Sequence, residues 1–79
     1  MPLLVKLSTT LRKQVPDYDP NAGLEVEFLP GESAEGLIHR LGLDPARIKI
    51  IMVNGRSAAL EQGLKDGDRV GLFPPVGGG

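Results

Sequence analysis

The sequence predicts an α+β domain, and three observations carry that reading. Two early segments alternate apolar and polar residues with the period of a strand. One apolar stripe at helical spacing follows them. The second half is built of short apolar runs cut by turn residues, which suits further strands. Strands followed by a helix and then more strands is the pattern of an α+β fold.

The elements follow in order. Leu3, Val5 and Leu7 alternate with Leu4, Lys6 and Ser8, which predicts a first strand. Over residues 9–23 the chain is less regular. Thr10-Leu11-Arg12-Lys13 suits a helical turn, and Pro16 and Pro20 then break any regular element. A solvated hairpin connection is expected here. Asp17-Tyr18-Asp19-Pro20-Asn21-Ala22-Gly23 superficially matches a calcium loop. Ala22 stands where such a loop needs glycine, and Phe28 where it needs a bidentate Glu, so no metal site is expected. Residues 24–29 alternate again, predicting a second strand that ends at Pro30-Gly31.

Ser33 is placed to cap a helix, and Glu35 in the first turn complements the helix dipole. Ala34, Leu37, Ile38 and Leu41 then fall on one stripe, with Gly42 as the C-terminal stop. Gly36 within this helix costs up to about 1 kcal/mol against Ala, and close packing on the sheet is the expected reason for it. Asp44-Pro45 suits a single helical turn with Asp as cap. Residues 48–53 are nearly all apolar, as in a strand buried in the sheet. Asn54-Gly55 is a hairpin signal, so residues 56–58 form a short return strand. Residues 60–63 read as an irregular turn. Asp66-Gly67-Asp68 is a tight turn, and Val70 and Leu72 lie on one face of a last strand. The predicted order is strand, strand, helix, strand, short strand, strand.

Composition bounds the function. A chain of 79 residues makes one small domain. A net charge of −1 gives no electrostatic case for nucleic acid or membrane binding. No apolar run approaches the roughly 20 residues of a membrane span, no signal peptide opens the chain, and a cytoplasmic location is expected. With no cysteine, there is no disulfide framework. Side-chain chemistry is thin. His39, the only histidine, lies beside the apolar stripe with no patterned partner, and a partly exposed structural role is expected. Ser8, Thr9, Thr10, Ser33 and Ser57 show no nucleophile motif.

The distinctive feature is the end of the chain, Pro74-Pro75-Val76-Gly77-Gly78-Gly79. Adjacent prolines join neither a helix interior nor a central strand, and glycine has no side chain to bury. Residues 1–73 are therefore expected to form the domain, and residues 74–79 a flexible arm reaching about 20 Å when extended. Composition alone fits a frayed terminus or a cloning scar equally well. The strand that runs directly into the arm gives it a defined start, which a random tail does not need. Phe73 sits at that junction and fits either the core or an exposed anchor.

Leu64-x-Asp66-Gly67-Asp68-x-Val70, followed by Phe73-Pro74-Pro75-Val76-Gly77-Gly78-Gly79, resembles the C-terminal signature of the MoaD/ThiS family of ubiquitin-like sulfur carriers. Val53-Asn54-Gly55-Arg56 resembles the family's Val-Asn-Gly turn. The resemblance is strongest over residues 53–79, and Phe-Pro-Pro-Val before the glycines is closer to the molybdopterin branch than to the thiamine branch. Over residues 9–23, where the family has a short helix, this chain departs from it.

The resemblance implies a β-grasp fold, with a mixed sheet packed against one main helix. It implies that an adenylating enzyme of the ubiquitin-activating type joins Gly79 to AMP, and that a sulfur donor converts the acyl-adenylate to a thiocarboxylate. It implies no resident cofactor. The small-subunit role in molybdopterin synthase would make the large subunit the second partner. Phe73, Pro74, Pro75, Val76, Gly77 and Gly78 would be the partner-binding residues, because the family places an aromatic against its partner enzymes at the arm's base. Without cysteine, a persulfide on this chain's own thiol is closed, and sulfur has to ride on the terminal carbonyl. Supply of sulfur for the thiamine thiazole or another pathway, ubiquitin-like attachment to target lysines, and a binding module with an idle tail are the alternatives.

Overall fold

In the computed structural model, which describes residues 2–15 and 18–75, five strands form one mixed sheet against a single α-helix. The strands are β1 (Leu3–Leu7), β2 (Leu24–Val26), β3 (Ile50–Val53), β4 (Arg56–Ala58) and β5 (Arg69–Phe73), and the helix is α1 (Ala34–Arg40). Their order across the sheet is β2-β1-β5-β3-β4. The central pair, β1 and β5, is parallel, with Val5 opposite Val70 and Leu7 opposite Leu72. The β1–β2, β3–β5 and β3–β4 pairs are antiparallel.

Alternation assigns the two faces. Leu3, Val5 and Leu7 of β1, Val70 and Leu72 of β5, and Ile51 and Val53 of β3 are buried together with Ala34, Leu37 and Ile38 of the helix. Intervening residues of the same strands, Leu4, Lys6, Arg69, Gly71, Phe73, Ile50 and Met52, therefore lie on the other face. Among the described residues no helix covers that face.

The helix begins and ends as its sequence specifies. Ser33 Oγ accepts from the Gly36 N–H at 3.2 Å. The N–H groups of Ala34 and Glu35 donate to the carbonyls of Gln62 and Leu60, both at 2.9 Å. Those donors have no partner inside the helix, so the irregular turn at 60–63 also acts as the seat of the helix start. At the other end Gly42 takes φ 78°. Leu43 N–H reaches Ile38 O at 3.1 Å and Gly42 N–H reaches His39 O at 3.0 Å, the paired bonds of a Schellman stop. Asp44 caps the 3-10 turn Pro45–Arg47 through Ala46 N–H at 2.9 Å.

Four expectations need correction. The second strand ends at Val26 rather than Leu29 and is only half-buried, because β2 is an edge strand with one neighbour. The third strand starts at Ile50, not Ile48, and is not buried on both faces: Ile50 is 44% exposed. The 9–23 segment is more than a solvated connection. Thr9–Gln14 forms a 3-10 turn that buries Leu11 to 1% exposure. Tyr18 packs on the core and its hydroxyl accepts from Leu7 N–H at 2.7 Å. Finally, Gly36 does not serve packing on the sheet. A Cβ there would lie 3.0 Å from Cγ of Glu32. The missing side chain makes room for Glu32, whose carboxylate pairs with Arg40 at 2.8 Å. Arg40 also donates to the Glu27 carbonyl, so this bridge ties the chain before the helix to its last turn.

Candidate functional site

The end of β5 is where the sheet hands over to residues 74–79. The strand is held on both sides, by β1 and by β3, so its last residue is placed by the core of the fold. Ile50 is the register partner of Phe73, and Lys49 N–H donates to Phe73 O at 2.8 Å, extending the ladder one step beyond the strands. With Leu72 fully buried, alternation turns Phe73 to the open face, where it is 38% exposed. Phe73 therefore lies outside the buried core. Its ring lies beside Gly71, where a Cβ would meet the ring edge at 3.3 Å.

Pro74 is half-buried and Pro75 exposed. Together with Leu11, Gln14, Ala46 and Arg47 they line a depression of about 280 Å³ between the two 3-10 turns. Both turns therefore flank Pro74 and Pro75, the first residues after β5. Val76, Gly77, Gly78 and Gly79 lie outside the described residues.

The two motifs upstream meet at the opposite end of β5. Asn54 and Gly55 take φ 52° and 81°, the left-handed pair of a type I′ hairpin. Asn54 Nδ2 donates to Asp68 Oδ1 at 2.8 Å, and Asn54 Oδ1 accepts from Arg69 N–H at 3.0 Å. Asp68 Oδ2 accepts from Lys65 N–H at 2.8 Å. Asp68, 7% exposed, thus has both carboxylate oxygens engaged by hydrogen bonds that offset its burial. A larger polar depression of about 540 Å³ beside this network is lined by Asn54, Arg56, Ser57, Gln62, Lys65 and Asp68. Asn54 and Asp68 are already committed to each other, so the Val-Asn-Gly and Asp-Gly-Asp motifs fix where β5 begins.

His39 is exposed at the end of the helix. Among the described residues no group of His, Cys, Asp and Glu is placed to hold a metal ion, and no helix is long and apolar enough to cross a membrane. Sequence reasoning missed that Leu4, Ile50 and Met52 share the open face with Phe73, with Ile50 as its register partner and Met52 opposite Gly71. The apolar run at 48–53 reads as buried on both sides. The signal against that was β5 itself, where Arg69 and Gly71 alternate with Val70 and Leu72 and so mark an uncovered face.

A mixed five-stranded sheet holding one helix defines a ubiquitin-like β-grasp protein. The chain belongs to the ThiS family, whose model matches residues 5–79. Its structure is similar to a putative molybdopterin converting factor, subunit 1, from Pyrococcus furiosus, with a TM-score of 0.73 and 27% identity over 96% of this chain and 99% of that one. SAMP1 from Haloferax volcanii gives a TM-score of 0.71 at 22% identity over 100% of both chains. Urm1 from Trypanosoma brucei gives 0.68 at 19% identity over 99% of this chain and 95% of that one. The last two likenesses bear on the fold alone. Among curated proteins none matches the sequence.

Proposed function

We propose that this chain is a sulfur carrier whose C-terminal Gly79 is activated as an acyl-adenylate and converted to a thiocarboxylate, and that it delivers sulfur in molybdopterin synthesis. The observation that carries this reading is the junction at Phe73. A strand pinned in the centre of the sheet leads directly into Pro-Pro-Val-Gly-Gly-Gly, inside a chain of the ThiS family. A rigid base and a thin glycine tip suit the insertion of a terminal carboxylate into a narrow enzyme channel, where a Cβ would meet the walls.

The chemistry is balanced as follows. A carboxylate resists nucleophiles because of its own charge. Attack of a Gly79 carboxylate oxygen on the α-phosphate of ATP releases pyrophosphate and leaves a mixed anhydride with AMP. The terminal sulfur of a donor persulfide displaces AMP, forming an acyl disulfide. A second thiol of the donor system cleaves the S–S bond, leaving the thiocarboxylate and a disulfide. The thiocarboxylate sulfur is then a nucleophile toward an activated substrate carbon inside a closed site that excludes water. In this reading the chain is a cosubstrate, with the adenylating enzyme and the molybdopterin synthase large subunit as partners. Phe73 and the first residues of the arm meet both.

The molybdopterin branch draws support from the Pyrococcus furiosus likeness and from Phe73-Pro74-Pro75-Val76. A second reading, attachment through Gly79 to lysines of target proteins, draws on the same activated terminus, since an acyl-adenylate is open to an amine as well as to sulfur. One experiment addresses both. The chain is incubated with its organism's adenylating enzyme, ATP and a persulfide donor, then examined by intact mass spectrometry. Replacement of one oxygen by sulfur is expected, and none in a variant carrying a tag after Gly79. Equal modification of the tagged chain would overturn the proposal. Lysine adducts without a thiocarboxylate product would favour the modifier reading.

A further inference from the structure

The polar depression of about 540 Å³ at the other end of β5 has no part in the carrier chemistry. Its lining includes Arg56, Gln62, Lys65 and Asp68. Antiparallel pairing sets Arg56 opposite Val53 and Ala58 opposite Ile51, so both stand on the helix side of the sheet, the face away from Phe73. Asp68 and Phe73 bracket β5, which puts the depression roughly 16 Å along the strand from the base of the arm at about 3.3 Å per residue.

Two cations line this depression without a partner. Among the described residues neither the Arg56 guanidinium nor the Lys65 ammonium takes part in a hydrogen bond or ion pair. The guanidinium groups of Arg12 and Arg40, by contrast, are engaged by Leu7 O and by Glu32 and Glu27 O. The one carboxylate in the lining, Asp68, is buried and already accepts from Asn54 Nδ2 and Lys65 N–H. Glu61 and Asp66 adjoin Gln62 and Lys65 in sequence but do not line the depression. Gln62 Nε2 donates one hydrogen to Gly63 O and keeps a second for a ligand. The depression thus offers donors of positive charge and no free acceptor of equal strength.

We infer that this depression binds the diphosphate group of a small ligand between Arg56 and Lys65. The planar fork of Arg56 matches two oxygens of one phosphate, and the Lys65 ammonium meets the other as a point charge. Two cations against the Asp68 carboxylate leave one net positive charge. A singly charged anion therefore gains little here, whereas the attraction grows with each further charge on the ligand. The volume lies within the range of small-ligand sites, about 300–1,000 Å³, and the polar lining suits a charged group rather than an apolar body. Because the depression and Phe73 lie on opposite faces, an occupied site leaves the base of the arm free.

The test is titration of the full chain with pyrophosphate at about 0.05 M NaCl, where screening is weak, followed through amide NMR shifts. Saturable shifts are expected at Arg56, Gln62 and Lys65, and none with acetate at equal concentration. ADP is titrated in parallel, and the tighter of the two names the source, a free or an esterified diphosphate. Arg56→Gln and Lys65→Gln, both at exposed positions, are each expected to raise Kd about tenfold, the loss of one charge-assisted contact. Arg56→Lys keeps the charge without the fork and should fall in between. Lys49→Gln removes an exposed cation outside the depression and should leave Kd unchanged. Circular dichroism checks the fold of each variant. Absence of saturable shifts with both pyrophosphate and ADP would overturn the inference, and so would an equal loss in Lys49→Gln and Arg56→Gln, which marks an unspecific charge effect. Neither outcome touches the carrier reading, whose test lies at Gly79.

Discussion

Asn54 and Asp68 are 14 positions apart in sequence and share a 2.8 Å hydrogen bond that closes the start of β5 onto the β3–β4 hairpin. Two turns that look independent in sequence are one structure. Replacing Asp68 by Ala frees Lys65 N–H and the Asn54 amide together. Both bonds are part-buried and run to a charged acceptor, and a hydrogen bond to a charged group contributes about 1.5–3 kcal/mol. We therefore expect Asp68→Ala to lower stability by about 2–4 kcal/mol in chemical denaturation, and Asn54→Ala to cost part of the same energy. A double variant should lose less than the sum of the singles; strict additivity would show that the two residues act separately.

Leu11 and Tyr18 tie the connection between β1 and β2 to the core. Leu11→Ala is expected to cost about 2–5 kcal/mol, the range for a fully buried leucine. Tyr18→Phe should cost about 1 kcal/mol or somewhat more, since it leaves Leu7 N–H without its 2.7 Å acceptor. A loss below about 0.5 kcal/mol for Leu11→Ala would be the surface value and would return the segment to the status of a solvated loop.

Gly36→Ala sets two small effects against each other. Alanine gains up to about 1 kcal/mol in helix propensity. The new Cβ pushes the Glu32 side chain and loosens its bridge to Arg40, a partly exposed pair worth about 0–1 kcal/mol. Stability should shift by no more than about 1 kcal/mol either way. A loss above about 2 kcal/mol would mean that the backbone before the helix, held by Arg40 at the Glu27 carbonyl, has to move as well.

Phe73→Ala separates folding from docking. A buried phenylalanine costs about 3–5 kcal/mol on truncation. At 38% exposure Phe73 should cost well under that, while binding to the adenylating enzyme should weaken by about 2 kcal/mol or more, as for an interface anchor. Measured on one variant, the reverse pattern of large instability and normal binding by the folded fraction would place the docking surface elsewhere. Leu72→Ala, at the adjacent and fully buried position, is the internal standard.

The sequence by itself determined the elements whose causes are local. Ser33, Gly42, Asp44 and the Asn54-Gly55 pair act on backbone groups a few residues away, so the helix, the short 3-10 turn and the β3–β4 hairpin stand where they were expected. The alternation in β1 and β5 fixed which of their residues are buried. The tertiary structure decided whatever depends on distant neighbours. Edge position cut β2 short. Register against Arg69, Gly71 and Phe73 left the apolar run at 48–53 half open. The need to close one corner of the core drew Leu11 inside. The same holds for the site. The Pro/Gly end was legible because composition alone constrains such a segment, whereas the apolar, cationic face beside Phe73 arises only when β1, β3 and β5 lie side by side, since a strand does not carry in its own sequence the identity of its neighbours.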